Sequence, residues 1–375
     1  MTFRLKTSGN ADGLPEGFFD VARRIYRDEP RWIPEDPAGL ENRFSAENPW
    51  FAHGKTAAFC IPEKARLAMF KHPSAFVDGR AAAFFGYWET VGDDAADTFI
   101  FNAAQDWARE QGAEYLCGPI NFSTYGTYRL LLEIEDGGYP FVGEPFNPQY
   151  YPEILRGFNF EPRSKALTQI APAEVMSKVW RKRKPLVDEL RSQGYRIEAL
   201  EHQIWLNNLR ELHELINEMF SDNFGYTPLS FAAFEQMCNA SFIRRIDPRT
   251  SVIAYAPDDS IAGFFLLVPQ YGPLIVQGAK DDRVAVGDLS FDQHFPRLRE
   301  RGDVGGIFKT GAVAPAHREK GIFSALTITT FELGEGIYDS WYGALIRADN
   351  PSRRYADGYA DDSRRYALFG KELNH

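Results

Sequence analysis

An α/β protein built from two copies of one unit is the fold class this sequence predicts, and three observations predict it. The chain has 375 residues, against roughly 100–200 for an ordinary domain. Its two halves run through the same order of elements: helix, hairpin, strand, helix, strand. Each half then places an Asn-Pro pair, Asn147-Pro148 or Asn350-Pro351, at the start of a short helix. The join is expected within 172–200, with domains at 1–175 and 176–375.

In the first half, EGFFDVARRIYRD (16–28) has apolar residues at helical spacing, and DEPRWIPEDP breaks the pattern. KTAAFCIPEKARLAMF (55–70) reads as two strands around a Pro-Glu-Lys turn, and RAAAFFGYWET (80–90) as a third. VGDDAAD is a loop whose acids suit a helix start. The helix continues through ADTFIFNAAQDWAREQG and ends at Gly112. AEYLCGPIN is the next strand, and NPQYYPEILRGF (147–158) a short helix.

The second half repeats this order. NNLRELHELINEMF (207–220) is an amphipathic helix, and TSVIAYAPDDSIAGFFLLVPQ (250–270) a hairpin. GGIFKTGAVAP (305–315) is a strand, IFSALTITTFELGEG (322–336) a helix and SWYGALIRADN a strand. After NPSRRYADGYA (350–360), RRYALFGKEL closes the chain as a strand.

Composition narrows the function. A net charge of -10 argues against a surface built throughout for nucleic acid. Cys60, Cys117 and Cys238 are scattered among apolar or small residues, which suits buried thiols in a reducing compartment and no metal site. The opening MTFRLKTSGNADG lacks the apolar segment of a secretory leader. No run approaches the roughly 18 apolar residues of a spanning helix. A cytoplasmic protein with no membrane segment is expected.

The segment VAPAHREKGIFSAL (313–326) carries the chemistry. It joins a strand to a helix, and a helix N-terminus presents unpaired N–H groups and the positive end of the macrodipole, which together attract anions. Arg318 and Lys320 add charge there, and Gly321 lets backbone approach a phosphate closely. Neither a Walker loop nor a G-x-G-x-x-G fingerprint is present.

This segment resembles motif A of the GNAT acyltransferase superfamily, a V-x-P-x-x-R-G-x-G-[IV]-G stretch after the fourth strand. Val313, Pro315, Arg318, Lys320, Gly321 and Ile322 match it, while Glu319 stands for the first glycine and Phe323 for the last. GRAAAFFGYWE, AAQDWAREQG, CGPINFSTYG and GEPFNPQYYPEILRGFNFEP resemble the N-terminal half of tandem GNAT proteins. SDNFGYTPLSFAAFEQM and DNPSRRYA resemble the C-terminal half, so the likeness covers nearly all of the chain.

The resemblance implies two tandem domains, each with a mixed, mostly antiparallel central sheet flanked by helices. It implies transfer of an acyl group from coenzyme A to an amine of a small molecule. Val313, Arg318, Glu319, Lys320, Gly321, Ile322 and Asn350 would contact the acyl-CoA co-substrate. The strand Lys309–Ala314 would polarise the thioester carbonyl through its backbone, and Tyr355 would protonate the leaving thiolate. VGDDAAD occupies the corresponding place in the first half, where Asp93 and Asp94 oppose a phosphate, so that half is expected to be degenerate.

Two other segments bear on partners. In GPINFSTYGTYRLL (118–131), Asn121, Ser123 and Tyr125 follow a strand and are candidates for binding the acceptor. The basic run KVWRKRK supplies Lys178, Arg181, Lys182, Arg183 and Lys184, with Trp180 as a stacking platform. It admits an aminoacyl-tRNA donor as an alternative to acyl-CoA, and a charged linker helix as the plain structural reading. A non-catalytic ligand-binding GNAT pair is the third possibility.

Overall fold

The computed structural model describes residues 4–277, 282–302, 304–350, 353, 356 and 358–373. Its centre is a single sheet. The first strands are β1 (Lys6–Gly9), β2 (Lys55–Ile61), β3 (Ala65–Val77), β4 (Arg80–Thr90), β5 (Tyr115–Gly118) and β6 (Leu130–Ile134). Then come β7 (Glu161–Pro172), β8 (Arg196–Ala199), β9 (Val252–Tyr255), β10 (Ile261–Pro269), β11 (Gly305–Val313), β12 (Ser340–Arg347) and β13 (Asp361–Glu372). They lie in the order β1-β2-β3-β4-β5-β13-β7-β12-β11-β10-β9-β8, with β6 also paired to β13.

This order is nearly palindromic. On each side an antiparallel run ends in one parallel pair, β4 with β5 and β11 with β12. The halves then exchange strands. β7 leaves the first half to pair with β12, and β13 returns to pair with β5. β7 and β13 pair with each other at the centre. The expected strands at 55–70, 80–90, 113–121, 250–270, 305–315, 340–350 and 364–373 all have counterparts in the sheet. β7 was missed because EPRSK, its first five residues, is polar and contains Pro162.

Helices cover both faces, which explains why a strand such as β10 is apolar throughout. In β10, Phe265 and Leu267 join one core cluster, while Phe264 and Leu266 join the cluster on the opposite face. The helix Ile322–Leu333 carries its apolar residues and small threonines all round because it is buried between the sheet and the helices Ala173–Arg183 and Pro185–Ser192. The helix Asp94–Glu110 covers the first half through Ile100, Phe101 and Ala104. Cys60, Cys117 and Cys238 are free and buried. Among the described residues no helix is long and apolar enough to cross a membrane, and no cluster of metal-ligating side chains occurs.

A buried acid on this helix gives the fold a pH dependence. Burial pushes the Asp97 carboxyl from 3.8 up to about 6, with Thr90 opposing the rise and Asp93 and Asp94 adding to it. The folded protein thus retains a proton that the unfolded chain has already lost, so this group makes stability fall as pH rises from about 4 to about 6. Asp97→Asn is expected to remove that slope and to stabilise the protein by about 1–2 kcal/mol at pH 7. Urea unfolding at pH 4 and pH 7 checks it, and an unchanged difference between the two would refute the assignment.

Candidate active site

The parallel pair of the second half comes apart at a defined place. β11 and β12 pair from Gly305 with Ser340 to Phe308 with Gly343, and no further. Two bulges drive the separation. The β10–β11 register steps from Leu267–Phe308 to Leu266–Thr310, leaving Lys309 as the extra residue. The β12–β7 register breaks between Gly343 and Ile346, where Leu345 takes a φ of 55°. An extra residue bends its strand and interrupts the ladder. From Lys309 onward the facing strand edges therefore no longer pair with each other.

The same gap in the first half is filled. Pairing of β4 with β5 ends at Phe84 with Cys117. The loop after β5 then folds back onto β4. Ile120 N donates to Phe85 O at 2.8 Å, and Asn121 Oδ1 accepts from Tyr87 N at 2.8 Å. Gly86 permits this approach, because a Cβ there would overlap Ile120 O and Asn121 Oδ1.

This geometry sorts the three residues expected to face the acceptor. Asn121 plugs the closed gap. Ser123 is buried, and its Oγ accepts from Tyr125 N at 3.3 Å. Asn121 spends its amide oxygen on β4 and Ser123 its hydroxyl inside the loop. Tyr125 reaches the other half, where its hydroxyl meets Tyr226 Oη at 3.0 Å and Asn217 Oδ1 at 3.3 Å.

The candidate phosphate loop leads from β11 to the helix Ile322–Leu333. Val313 and Ile322 are buried and anchor its two ends, while Arg318, Glu319 and Lys320 are exposed. His317 Nδ1 lies 3.0 Å from the Tyr195 hydroxyl, which ties the loop to the β8 end of the sheet. Glu319 has φ 65° and Gly321 φ 85°, so the first two of the three positions where motif A has glycine are left-handed here. The helix start has no side-chain cap. At the first-half equivalent, Asp93 Oδ1 accepts from Ala96 N at 3.0 Å and its other oxygen pairs with Lys64 at 2.7 Å, so those N–H groups and that charge are already engaged. Phe323 turns its ring to Phe265 of β10, with centroids 4.8 Å apart.

A non-glycine residue in the left-handed region costs about 1–2 kcal/mol, and an acid beside the helix start opposes an anion. Glu319→Gly is therefore expected to stabilise the fold by relieving the strain and, by removing the opposing charge, to tighten coenzyme A binding by about two- to fivefold. Calorimetry decides it, and weaker binding would argue that Glu319 contacts the ligand favourably. Asn350 lies exposed beyond β12, its N–H donating to Arg347 O at 3.0 Å. Tyr355 lies outside the described residues.

The basic run forms part of the helix Ala173–Arg183 and the residue after it. Lys178 pairs with Glu174 at 2.8 Å, and Arg181 and Lys184 pair with Glu335 and Glu332. Trp180 is 6% exposed and belongs to the core, with Arg181 and Lys184 over its ring. It cannot serve as a stacking platform for bases, which corrects that expectation. Lys182 and Arg183 are exposed.

One residue in the open gap escaped the sequence reading. Lys309 is the bulged residue of β11, and its Nζ sits 5.4 Å from the centre of the Phe141 ring. Burial, reinforced by Arg129 and Arg245 and opposed by Glu144, pushes its ammonium down to about 8. The available signal was a single lysine within GGIFKTGAV, a strand otherwise free of charge.

Solved structures share this fold. A tandem GNAT protein from the clavulanic acid biosynthesis pathway superposes with a TM-score of 0.52 over 99% of both chains, at 13% identity. A probable N-acyltransferase from Enterococcus faecalis gives 0.54 over 99% of this chain and 72% of that one, also at 13% identity. The chain has the tandem GNAT fold. A glucosamine N-acetyltransferase region in a fungal multidomain β-N-acetylglucosaminidase matches the same tandem GNAT fold with a TM-score of 0.54 at 11% identity, over 99% of this chain and 38% of that one. No family model matches the sequence. Among curated proteins, a bacterial ceramide synthase of Caulobacter vibrioides is 23% identical over 272 residues, 69% of this chain and 68% of that protein. Protein YghO of Escherichia coli is 22% identical over 238 residues, and the alignment spans 57% of its length and 59% of this chain.

Proposed function

We propose that the protein is an acyltransferase moving an acyl group from a coenzyme A thioester to an amine of a small-molecule acceptor, with the reaction in the gap between β11 and β12. The observation that carries this reading is the asymmetry of the two gaps. One is open beside an uncapped helix start, and the other is closed by Ile120 and Asn121 and capped by Asp93. On this reading residues 1–175 form a unit that shapes the acceptor side, and 176–375 the unit that takes the donor.

In the reaction the amine nitrogen attacks the thioester carbonyl. The C–N bond forms, the C–S bond breaks, the amine gives up a proton and the thiolate takes one. Backbone N–H groups of β11 past Lys309 would stabilise the oxyanion. Arg318, Lys320 and the N–H groups after Gly321 would hold the pyrophosphate, with Glu319, Val313 and Ile322 shaping the loop and Asn350 at the far rim. Tyr355 is the proposed proton donor to the thiolate. The relative named as a ceramide synthase fits the same bond type, since a ceramide is an N-acyl amide.

An aminoacyl-tRNA donor is the weaker reading. Trp180 is buried, and Lys178, Arg181 and Lys184 are engaged with acids. Coenzyme A calorimetry, followed by release of free thiol from acetyl-CoA with a panel of amines, tests the proposal. Micromolar binding with amine-dependent thiol release supports it. Binding without turnover would favour a ligand-binding role, and retention of charged tRNA without coenzyme A binding would favour the other donor.

A further inference from the structure

Three cations lie near one another on the face of the sheet away from the helix Ile322–Leu333, and among the described residues the acid that acts on Lys309, Glu144, is already engaged. Side chains alternate along a strand. Phe308 turns towards that helix and packs on Phe331 and Trp341. Lys309, the next residue, lies on the other face over Phe141. Arg129 comes from the first half and is 6% exposed. It stacks 4.0 Å over Tyr128, and its buried Nε and Nη1 have no hydrogen-bond acceptor. Arg129 and Arg245 both act electrostatically on Lys309, and Arg43 acts on Arg245.

Glu144 is the acid within reach of Lys309. Its carboxylate is already held by Arg364 Nη1 at 2.6 Å, by Phe141 N at 3.0 Å and by the Tyr366 hydroxyl. Like charges withdrawn from water are unfavourable unless a counter-charge completes them. The donor's phosphates would lie at the loop before Ile322, at the start of the helix on the opposite face. The missing negative charge therefore belongs to the other substrate.

We propose that Arg129, Arg245 and Lys309 receive a carboxylate or phosphate group of the acceptor, so that the acceptor is an amine that also carries an anion. The proposal rests on the acyl-transfer reading of the open gap. It narrows the acceptor class to acidic amines and assigns the first half a direct part in binding through Arg129.

Thermal unfolding with inorganic phosphate and, separately, with succinate tests it, at constant ionic strength. An Arg318→Ala/Lys320→Ala background silences the loop. Each anion that fits is expected to raise Tm in a saturable way, the larger response telling phosphate from carboxylate. Arg129→Met and Lys309→Met, added to that background, are expected to weaken the apparent affinity at least about tenfold. In anion-free buffer Arg129→Met is expected to melt no lower than its parent, since it removes an unpaired buried charge. A lower Tm there would mark Arg129 as structural and count against the proposal. An anion response that is absent, or unchanged in both variants, would overturn it. Coenzyme A calorimetry on Arg129→Met keeps the two readings apart. Wild-type affinity is expected, whereas failure of the wild type itself to bind coenzyme A would sink the acyl-transfer reading and leave the anion response standing alone.

Discussion

Gly321→Asp is expected to abolish coenzyme A binding, with a loss of about 100-fold or more. Three effects add. Gly321 holds φ 85°, where a side chain costs about 1–2 kcal/mol. A Cβ would also come within 3.2 Å of Leu186 Cδ1. And the new carboxylate would sit where the macrodipole attracts the ligand's own negative charge, worth about 0.3–1 kcal/mol before direct repulsion by the phosphates is added. About 2.7 kcal/mol corresponds to the hundredfold loss. Arg318→Ala leaves the backbone undisturbed, so it is expected to give a smaller loss with an unaltered Tm. Calorimetry on both variants, with Tm measured alongside, is the check. An affinity for coenzyme A within twofold of wild type in a folded Gly321→Asp protein would show that the loop is not the phosphate site.

Arg364→Ala is expected to cost about 3–5 kcal/mol of stability. Arg364 lies on β13, the strand that returns to the first half, and its side chain is fully buried. Asp136 takes Nη2 at 2.7 Å and Nε at 3.2 Å, while Glu144 takes Nη1 at 2.6 Å. Burial pushes the Glu144 carboxyl up, and Arg364 opposes the rise. Removing the arginine strands a carboxylate out of water, which is costlier than losing the pair outright. The double variant Arg364→Met/Glu144→Gln is therefore expected to be more stable than Arg364→Ala. Denaturant unfolding of the singles and the double decides it, and additive losses would mean that the two groups do not act as a pair.

Much of the candidate site was legible because it is local. A strand, Pro315, Arg318 and Gly321 fall within a few residues of one another, and the helix that follows is apolar enough to be recognised alone. The acidic start of the first half's helix was readable for the same reason: Asp93 caps the helix that its own residues begin. Trp180 was misread because its basic neighbours suggest exposure, whereas helical spacing turns Trp180 into the core with Met176 and Val179. The roles of Asn121 and Ser123 depended on which strand edge their loop would meet.

The amino-acid order alone carries the duplicated α/β unit and the strand–loop–helix proposed to hold the phosphates, since each depends on periodicity, turn chemistry and charge within a short window. Folding decides the rest. The exchange of β7 and β13, the closure of one gap by Ile120 and Asn121, and the meeting of Arg129, Arg245 and Lys309 all join residues far apart in the chain. A strand's partner depends on edges contributed by distant segments, and the charge balance around a side chain depends on every element packed against it. Neither quantity exists until the chain has folded.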